Sequence, residues 1–176
     1  DILDMGGEST RPGIAPVPLD EELARVVPVL REAVRLGVPI SLDTYKADVM
    51  RQALDLGVDI VNDIWALRQP GAREAVAAHP DCGICLMHMH GEPRTMQTAP
   101  MPGDAVPQVA AFLAAQTSAL GACGVADERI VWDPGIGFGK TVEQNFALLA
   151  RQHELLARGR PLLVGWSRKS SLGRVT

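Results

Sequence analysis

Six short apolar runs, ILDM (2–5), PISLDT (39–44), DIVNDI (59–64), GICLMHM (83–89), RIVWDP (129–134) and PLLVGWS (161–167), recur along the chain with longer stretches between them. Runs this short and this continuously apolar read as strands buried on both faces. The intervening stretches carry apolar residues at helical spacing: Leu23, Val26, Val27, Leu30 and Val34, then Val109, Phe112, Leu113 and Leu120, then Val142, Phe146, Leu149 and Leu156. Each set would lay one stripe on a sheet. Gly37, Gly57, Gly124 and Gly159 stand where left-handed caps would end helices, and Pro28 falls inside the first helix, where it should kink it. Strict alternation of strand and helix requires parallel strands joined by right-handed crossovers.

Two architectures satisfy that requirement, a doubly wound open sheet and a (β/α)8 barrel. An open sheet gathers its polar residues at one switch point, whereas a barrel can carry one after every strand. Here they follow nearly all: Glu8 to Arg11, Asp43, Asn62, Met87 with His88, Asp133, and Ser167 to Lys169. Period-two alternation puts Ser41 with Asp43, Ile60 with Asn62, Cys85 with Met87, and Val131 with Asp133 on shared faces. The expectation is an α/β chain folded as a (β/α)8 TIM barrel, here an incomplete one in a single domain over residues 1–176, since a full barrel takes roughly 250 residues. The chain opens with Asp1 rather than Met and stops at Thr176, so a longer parent, truncated at both ends, is expected.

Net charge is -4 and the isoelectric point about 5.5, with no basic stripe, which argues against a nucleic-acid or anionic-membrane partner. No apolar run approaches the ~18 residues of a membrane span and no signal peptide precedes Asp1, so the expected address is cytoplasmic. Cys82, Cys85 and Cys123 are too few for a disulfide framework and fit a reduced compartment.

The stretch DPGIGFGKT (133–141) resembles a phosphate-wrapping loop at first sight. A P-loop needs glycine five residues before Gly139, where Pro134 stands without an N–H, and the dinucleotide fingerprint misses by one position. The residue to explain is then Asp133. Cys82, Cys85, His88 and His90 have zinc-ligand atoms, but along one strand Cys85 points away from the other three, so small core cysteines and one polar strand-end histidine outweigh a metal site. Asp43, Asn62 and Asp133 end otherwise apolar strands, where an unpaired buried carboxylate costs several kcal/mol. A helix cap or an ion pair with Lys46 or Arg11 would satisfy one of them; three at matching levels of one barrel mouth suit a flat, nitrogen-rich heterocycle. Lys169, at a helix start in GWSRKSS, opposes the helix dipole and implies a negative or electron-rich partner. Ser167 and Ser170 read as helix caps rather than nucleophiles. GGESTRPG (6–13) brackets Ser9, Thr10 and Arg11 between paired glycines and Pro12, and reads as a short lid.

Taken in order, GGESTRPG, SLDTYKADV, VNDI, LMHMHGEPRTMQ, DPGIGFGKTVEQN and LLVGWSRKSSLG resemble the dihydropteroate synthase family across nearly the whole chain. The resemblance implies a barrel enzyme of folate biosynthesis that joins p-aminobenzoate to dihydropterin pyrophosphate with Mg²⁺ assisting. In it, Asp43, Asn62, Met87, Asp133 and Lys169 would bind the pterin, while Thr10, Arg11, Pro12, Phe138 and Ser170 would bind p-aminobenzoate. Lys169 and Arg11 would be the catalytic groups, and sulfonamide inhibitors would compete at the second subsite. The segments here correspond to about strands 2 to 7, without the Asn of the family's first strand or the Arg and His of its eighth. No metal ligand is expected in this stretch, a homodimer is expected of the parent, and these 176 residues alone are expected to show no turnover and weak stability. His90 and Ile136 depart from the commoner family residues, as loop-tip changes. Two rival readings are a pterin-dependent methyltransferase of the same superfamily, against which STRPG and SRKSS argue, and a non-catalytic pterin-binding fragment.

Overall fold

A computed structural model describes residues 1–11 and 13–173. Five of the six apolar runs form strands: β1 (Leu3–Gly6), β2 (Ile40–Asp43), β3 (Ile60–Asp63), β4 (Gly83–Met87) and β5 (Ile130–Asp133). They pair in parallel in the order of the sequence. An order with no reversal has no switch point, so right-handed crossovers put every helix on the same face and curl the sheet into an arc of a barrel. The helices are α1 (Leu19–Ala33), α2 (Ala47–Asp55), α3 (Ala72–Ala77), α4 (Ala105–Gly121), α5 (Val142–Ala150), α6 (Gln152–Leu156) and α7 (Ser170–Gly173). The four glycines expected to end helices all have positive φ. Helix α1 runs through Pro28, whose side chain lies on its exposed face.

The register sorts the strand residues. Ile40, Leu42, Val61, Ile84, Leu86, Ile130 and Trp132 face the helices and are essentially inaccessible. Each aliphatic side chain buried in this way contributes about 1.5–3 kcal/mol. The opposite face carries Asp4 level with Ser41 and Ile60, and Gly6 level with Asp43, Asn62, Cys85 and Val131. One layer further along, Met87 is level with Asp133.

The sixth run, 161–167, does not form the expected strand. It makes one bridge, Leu162 to Trp132, through Trp132 N–H to Pro161 O at 3.0 Å and Leu163 N–H to Trp132 O at 2.9 Å. Pro161 has no N–H, Gly165 packs no side chain, and along the whole run no residue is fully buried. Leu162, Val164 and Trp166 still lean on the main core. The last helical stripe is also out of phase with expectation: Leu148 and Leu155 are buried, while Leu149 and Leu156 are 38% and 47% exposed, and the helix breaks at Arg151 into α5 and α6.

Candidate active site

The C-terminal ends of the strands and the loops after them bring most of the expected residues together. Asp43 and Asn62 share a rung of the sheet, both half-buried, and among the described residues neither side chain is hydrogen-bonded. Lys46 does not pair with Asp43. It bridges Glu8 of the 6–13 loop and Glu22 of α1, and Glu22, only 1% exposed, also accepts from Thr44 Oγ1 at 2.7 Å. Tyr45 donates its hydroxyl to Glu8 at 2.8 Å. Asp43 is left facing inward without a cation of its own. Burial, reinforced by Asp4, Asp63, Glu22 and Glu8, raises its carboxyl to about 7.

Asp133, on the neighbouring layer beside Met87, is 7% exposed. Its Oδ1 accepts the Gly135 N–H at 2.7 Å, which shapes the start of the 134–140 loop, while Oδ2 has no hydrogen bond among the described residues. Burial raises it to about 6, opposed by that N–H and by the Lys169 and Lys140 ammoniums. Asp63 is the contrasting acid. Fully buried on the helix side of β3, it accepts from Trp65 N and Leu67 N at 2.7 and 2.8 Å and holds Ala66 and Leu67 in left-handed backbone, so its carboxylate serves the fold.

Lys169 immediately precedes α7, a helix too short for its dipole to matter. Its partners are instead acids: burial lowers its pKa, and Asp133 and Asp43 both oppose the fall, so the ammonium lies within the field of both carboxylates. The same Nζ sits 4.3 Å from the centroid of Phe138. Phe138 packs with Met87, Met89, Met96 and Ile64, so the residue level with Asp133 also backs the aromatic wall.

Beside Phe138 and Lys169 opens a cavity of about 520 Å³, also lined by Thr10, Arg11, Met96, Gln97, Gly137 and Arg168. Thr10, Arg11, Phe138 and Lys169 are thus brought to one hollow. Pro12 lies outside the described residues, as does the Ser170 side chain. Arg168, in the turn between Ser167 and Ser170, takes positive φ.

His88 leaves the mouth. Its ring stands edge-on to Phe112 of α4 at 4.9 Å, and burial, with Lys140 and His90, drops its pKa to about 3, so it is neutral. Cys82 is likewise occupied, its sulfur 2.9 Å from Arg129 Nη2, and among the described residues no three His, Cys, Asp or Glu side chains group as metal ligands. Ile136 and His90 are not loop-tip positions. Ile136 is buried in the main core, and the His90 backbone takes Gly139 against it so closely that a Cβ there would lie 2.3 Å from His90 O.

Three supporting residues have no clear signature in the sequence. Asn145 on α5 accepts the Gly137 N–H and donates to Ser171 Oγ, both at 2.9 Å, so it ties the 134–140 loop to α7. Gln97 donates to Gly137 O at 2.6 Å. Glu22 reads as an ordinary charge in the first turn of a helix, and only its position under the 6–13 loop gives it a role. Lys140, in the GK pair, is buried.

Comparison with known proteins gives a family model described as "Pterin binding enzyme" matching residues 1–176. The chain is 52% identical over 180 residues to dihydropteroate synthase of Neisseria meningitidis serogroup B, covering 100% of this chain and 63% of the relative. Against that of Escherichia coli K12 it is 47% identical over 175 residues, covering 99% and 62%. Among solved structures, Burkholderia cenocepacia dihydropteroate synthase complexed with 7,8-dihydropteroate superimposes with a TM-score of 0.91 at 55% identity, over 99% of this chain and 65% of that one. The Xanthomonas albilineans enzyme with 4-aminobenzoic acid gives 0.92 at 45% identity, over 99% and 62%. The Yersinia pestis enzyme with a sulfonamide drug gives 0.95 at 43%, over 99% and 63%. The chain therefore spans 63% and 62% of the length of these two curated relatives.

Proposed function

The chain belongs to the pterin binding enzyme family, and from that premise we propose that it carries the ring-binding and amine-presenting part of a dihydropteroate synthase. The reaction joins p-aminobenzoate to 6-hydroxymethyl-7,8-dihydropterin pyrophosphate and releases pyrophosphate. The observation that carries this reading is that Lys169 lies within the field of both Asp133 and Asp43 and also lines the Phe138-walled cavity. A flat heterocycle with N–H and amino donors fits the acids, and an aromatic amine fits the cavity.

Asp133 Oδ2 and the Asp43 carboxylate accept from the pterin, Asn62 supplies both a donor and an acceptor, and Met87 packs beside the ring. Charge-assisted bonds of this kind contribute about 1.5–3 kcal/mol each. Phe138 and Thr10 line the aminobenzoate subsite, joined by Pro12 and Ser170, while Arg11 and Lys169 attract its carboxylate. The amine nitrogen then attacks the pterin methylene carbon as the C–O bond to the leaving diphosphate breaks, and its proton passes to solvent. Positive charge grows on the methylene and negative charge on the leaving oxygens, so the chain contributes position and field rather than a nucleophile. Mg²⁺ would assist by offsetting charge on the leaving diphosphate, a role that suits a cation keeping few protein ligands. Sulfonamides would compete in the Phe138 cavity. A cytoplasmic address and a homodimeric parent belong to the same proposal; no described helix is long and apolar enough to cross a membrane.

Calorimetry with a dihydropterin, wild type against Asp133→Ala, tests the anchor: the variant should bind at least tenfold more weakly, and unchanged binding would remove Asp133 from the site. Formation of dihydropteroate from the two substrates by the full-length protein tests the reaction; methyl transfer to a corrinoid in its place would reassign it.

A further inference from the structure

Lys140 is buried to 4% exposure, and among the described residues no carboxylate is hydrogen-bonded to its ammonium. Its Nζ donates to three backbone carbonyls, His88 O at 3.2 Å, Gly135 O at 2.8 Å and Phe138 O at 3.1 Å. An ammonium has three N–H donors, and all of them are used. In its charged form Lys140 therefore offers the cavity no free donor and no lone pair.

The three carbonyls belong to two segments, the extension of β4 at His88 and the 134–140 loop. These segments are packed backbone against backbone: a Cβ on Gly135 would lie 1.8 Å from His88 O, and one on Gly139 2.3 Å from His90 O. Between the two segments His88 O, Gly135 O and Phe138 O converge on the one Lys140 Nζ, which offsets the repulsion of three carbonyl dipoles pointing at a common centre. The loop so fastened begins at Asp133 and contains Phe138.

We propose that Lys140 is a positioning residue for both subsites: its carbonyl-caged ammonium fastens the 134–140 loop to β4 and thereby holds Asp133 and Phe138 in place. The proposal rests on the functional reading above only for the identity of the ligands. It also assigns Lys140 a second effect, because its charge is one of two cations near Asp133. The titratable groups facing Asp133 are Lys140 on its own loop, Lys169 before α7 and the Cys85 thiol on β4; those facing Lys140 are Asp133, Lys169 and the neutral His88. Burial lowers Lys140 to about 7, and its three carbonyl bonds favour the charged form.

Two variants of the full-length protein separate cage from charge. Lys140→Gln keeps amide donors for the carbonyls and loses the charge; Lys140→Met loses both. Hydrogen exchange in 134–140 should quicken at least tenfold in Lys140→Met, and less in Lys140→Gln, with α1 unchanged in each. In both variants the acid limb of pterin binding should move up by about one pH unit, since Asp133 loses a nearby cation, and KM for p-aminobenzoate should rise several-fold. Reductive methylation of the wild type, mapped by mass spectrometry, needs no variant to fold and should leave Lys140 unmodified under conditions that modify Lys169. Methylation of Lys140 as fast as Lys169, or unchanged loop exchange in a folded Lys140→Met, would overturn the cage. An unmoved acid limb in folded Lys140→Gln would overturn the electrostatic part. If the wild type binds no pterin at all, the functional reading fails, while exchange and methylation still judge the cage.

Discussion

Lys46 is the cation on which the base of the 6–13 loop depends. Its Nζ bridges Glu8 on the loop and Glu22 on α1, and the side chains of Lys46 and Glu22 retain only 17% and 1% exposure. Gly7 is pressed onto the same helix, where a Cβ would lie 2.7 Å from Val26 Cγ1. Lys46→Met keeps the aliphatic stem and leaves Glu22 a buried carboxylate whose remaining partner is the Thr44 hydroxyl. Removing one member of a buried ion pair costs about 3–5 kcal/mol, because the desolvated charge is left uncompensated. With a urea slope of about 1–3 kcal/mol/M, the unfolding midpoint should fall by roughly 1–5 M. Adding Glu22→Gln removes the stranded charge and keeps an acceptor for Thr44, so the double variant should recover more than half of the loss. A single variant within about 0.3 M of wild type at an unchanged slope would show that water screens the cluster and would refute the reasoning.

Gly135→Ala places a Cβ 1.8 Å from His88 O at a φ of +68°, so it should destabilise the chain by at least ~3 kcal/mol in denaturant titration and abolish pterin binding. Asn145→Leu removes the acceptor of the Gly137 N–H and the donor to Ser171, and KM for p-aminobenzoate should rise severalfold while pterin affinity in calorimetry holds. Asp43 at about 7 and Asp133 at about 6 are both raised, so the folded chain holds their protons more tightly than the unfolded chain does. Their contribution to stability is complete below about pH 4 and is lost as pH rises through 6 to 7, with Asp133 accounting for ~3 kcal/mol, readable as a falling thermal midpoint of the ligand-free chain. Pterin affinity should run the opposite way, rising through the same window as the carboxylates become acceptors.

The strands and the inward acids were legible because both signals are local. A run such as ISLD needs only its own composition to declare a buried strand, and period two then assigns Asp43 to a face. Where legibility failed, the deciding neighbour lay elsewhere in the chain. PLLVGWS has the composition of a strand, but pairing is a property of two segments, and among the described residues its hydrogen bonds to a strand go to Trp132 alone. Leu149 and Leu156 fit the helical period as well as Leu148 and Leu155 do, and the break at Arg151 together with packing on α4 selects the second pair. His88 belongs to a motif at the mouth, yet the pleat turns its ring to Phe112.

By itself the sequence determined the parallel α/β class, the family, and the identity of the residues ending each strand, because these follow from periodicity and from motifs read in order. Only the tertiary structure decided which charges are spoken for. Lys46 passes over the adjacent Asp43 for Glu8 and Glu22, Lys140 is spent on three carbonyls, and Lys169 is left near both Asp43 and Asp133. A charge finds its partner through distance and burial, and both are set by elements that meet only when the chain is folded.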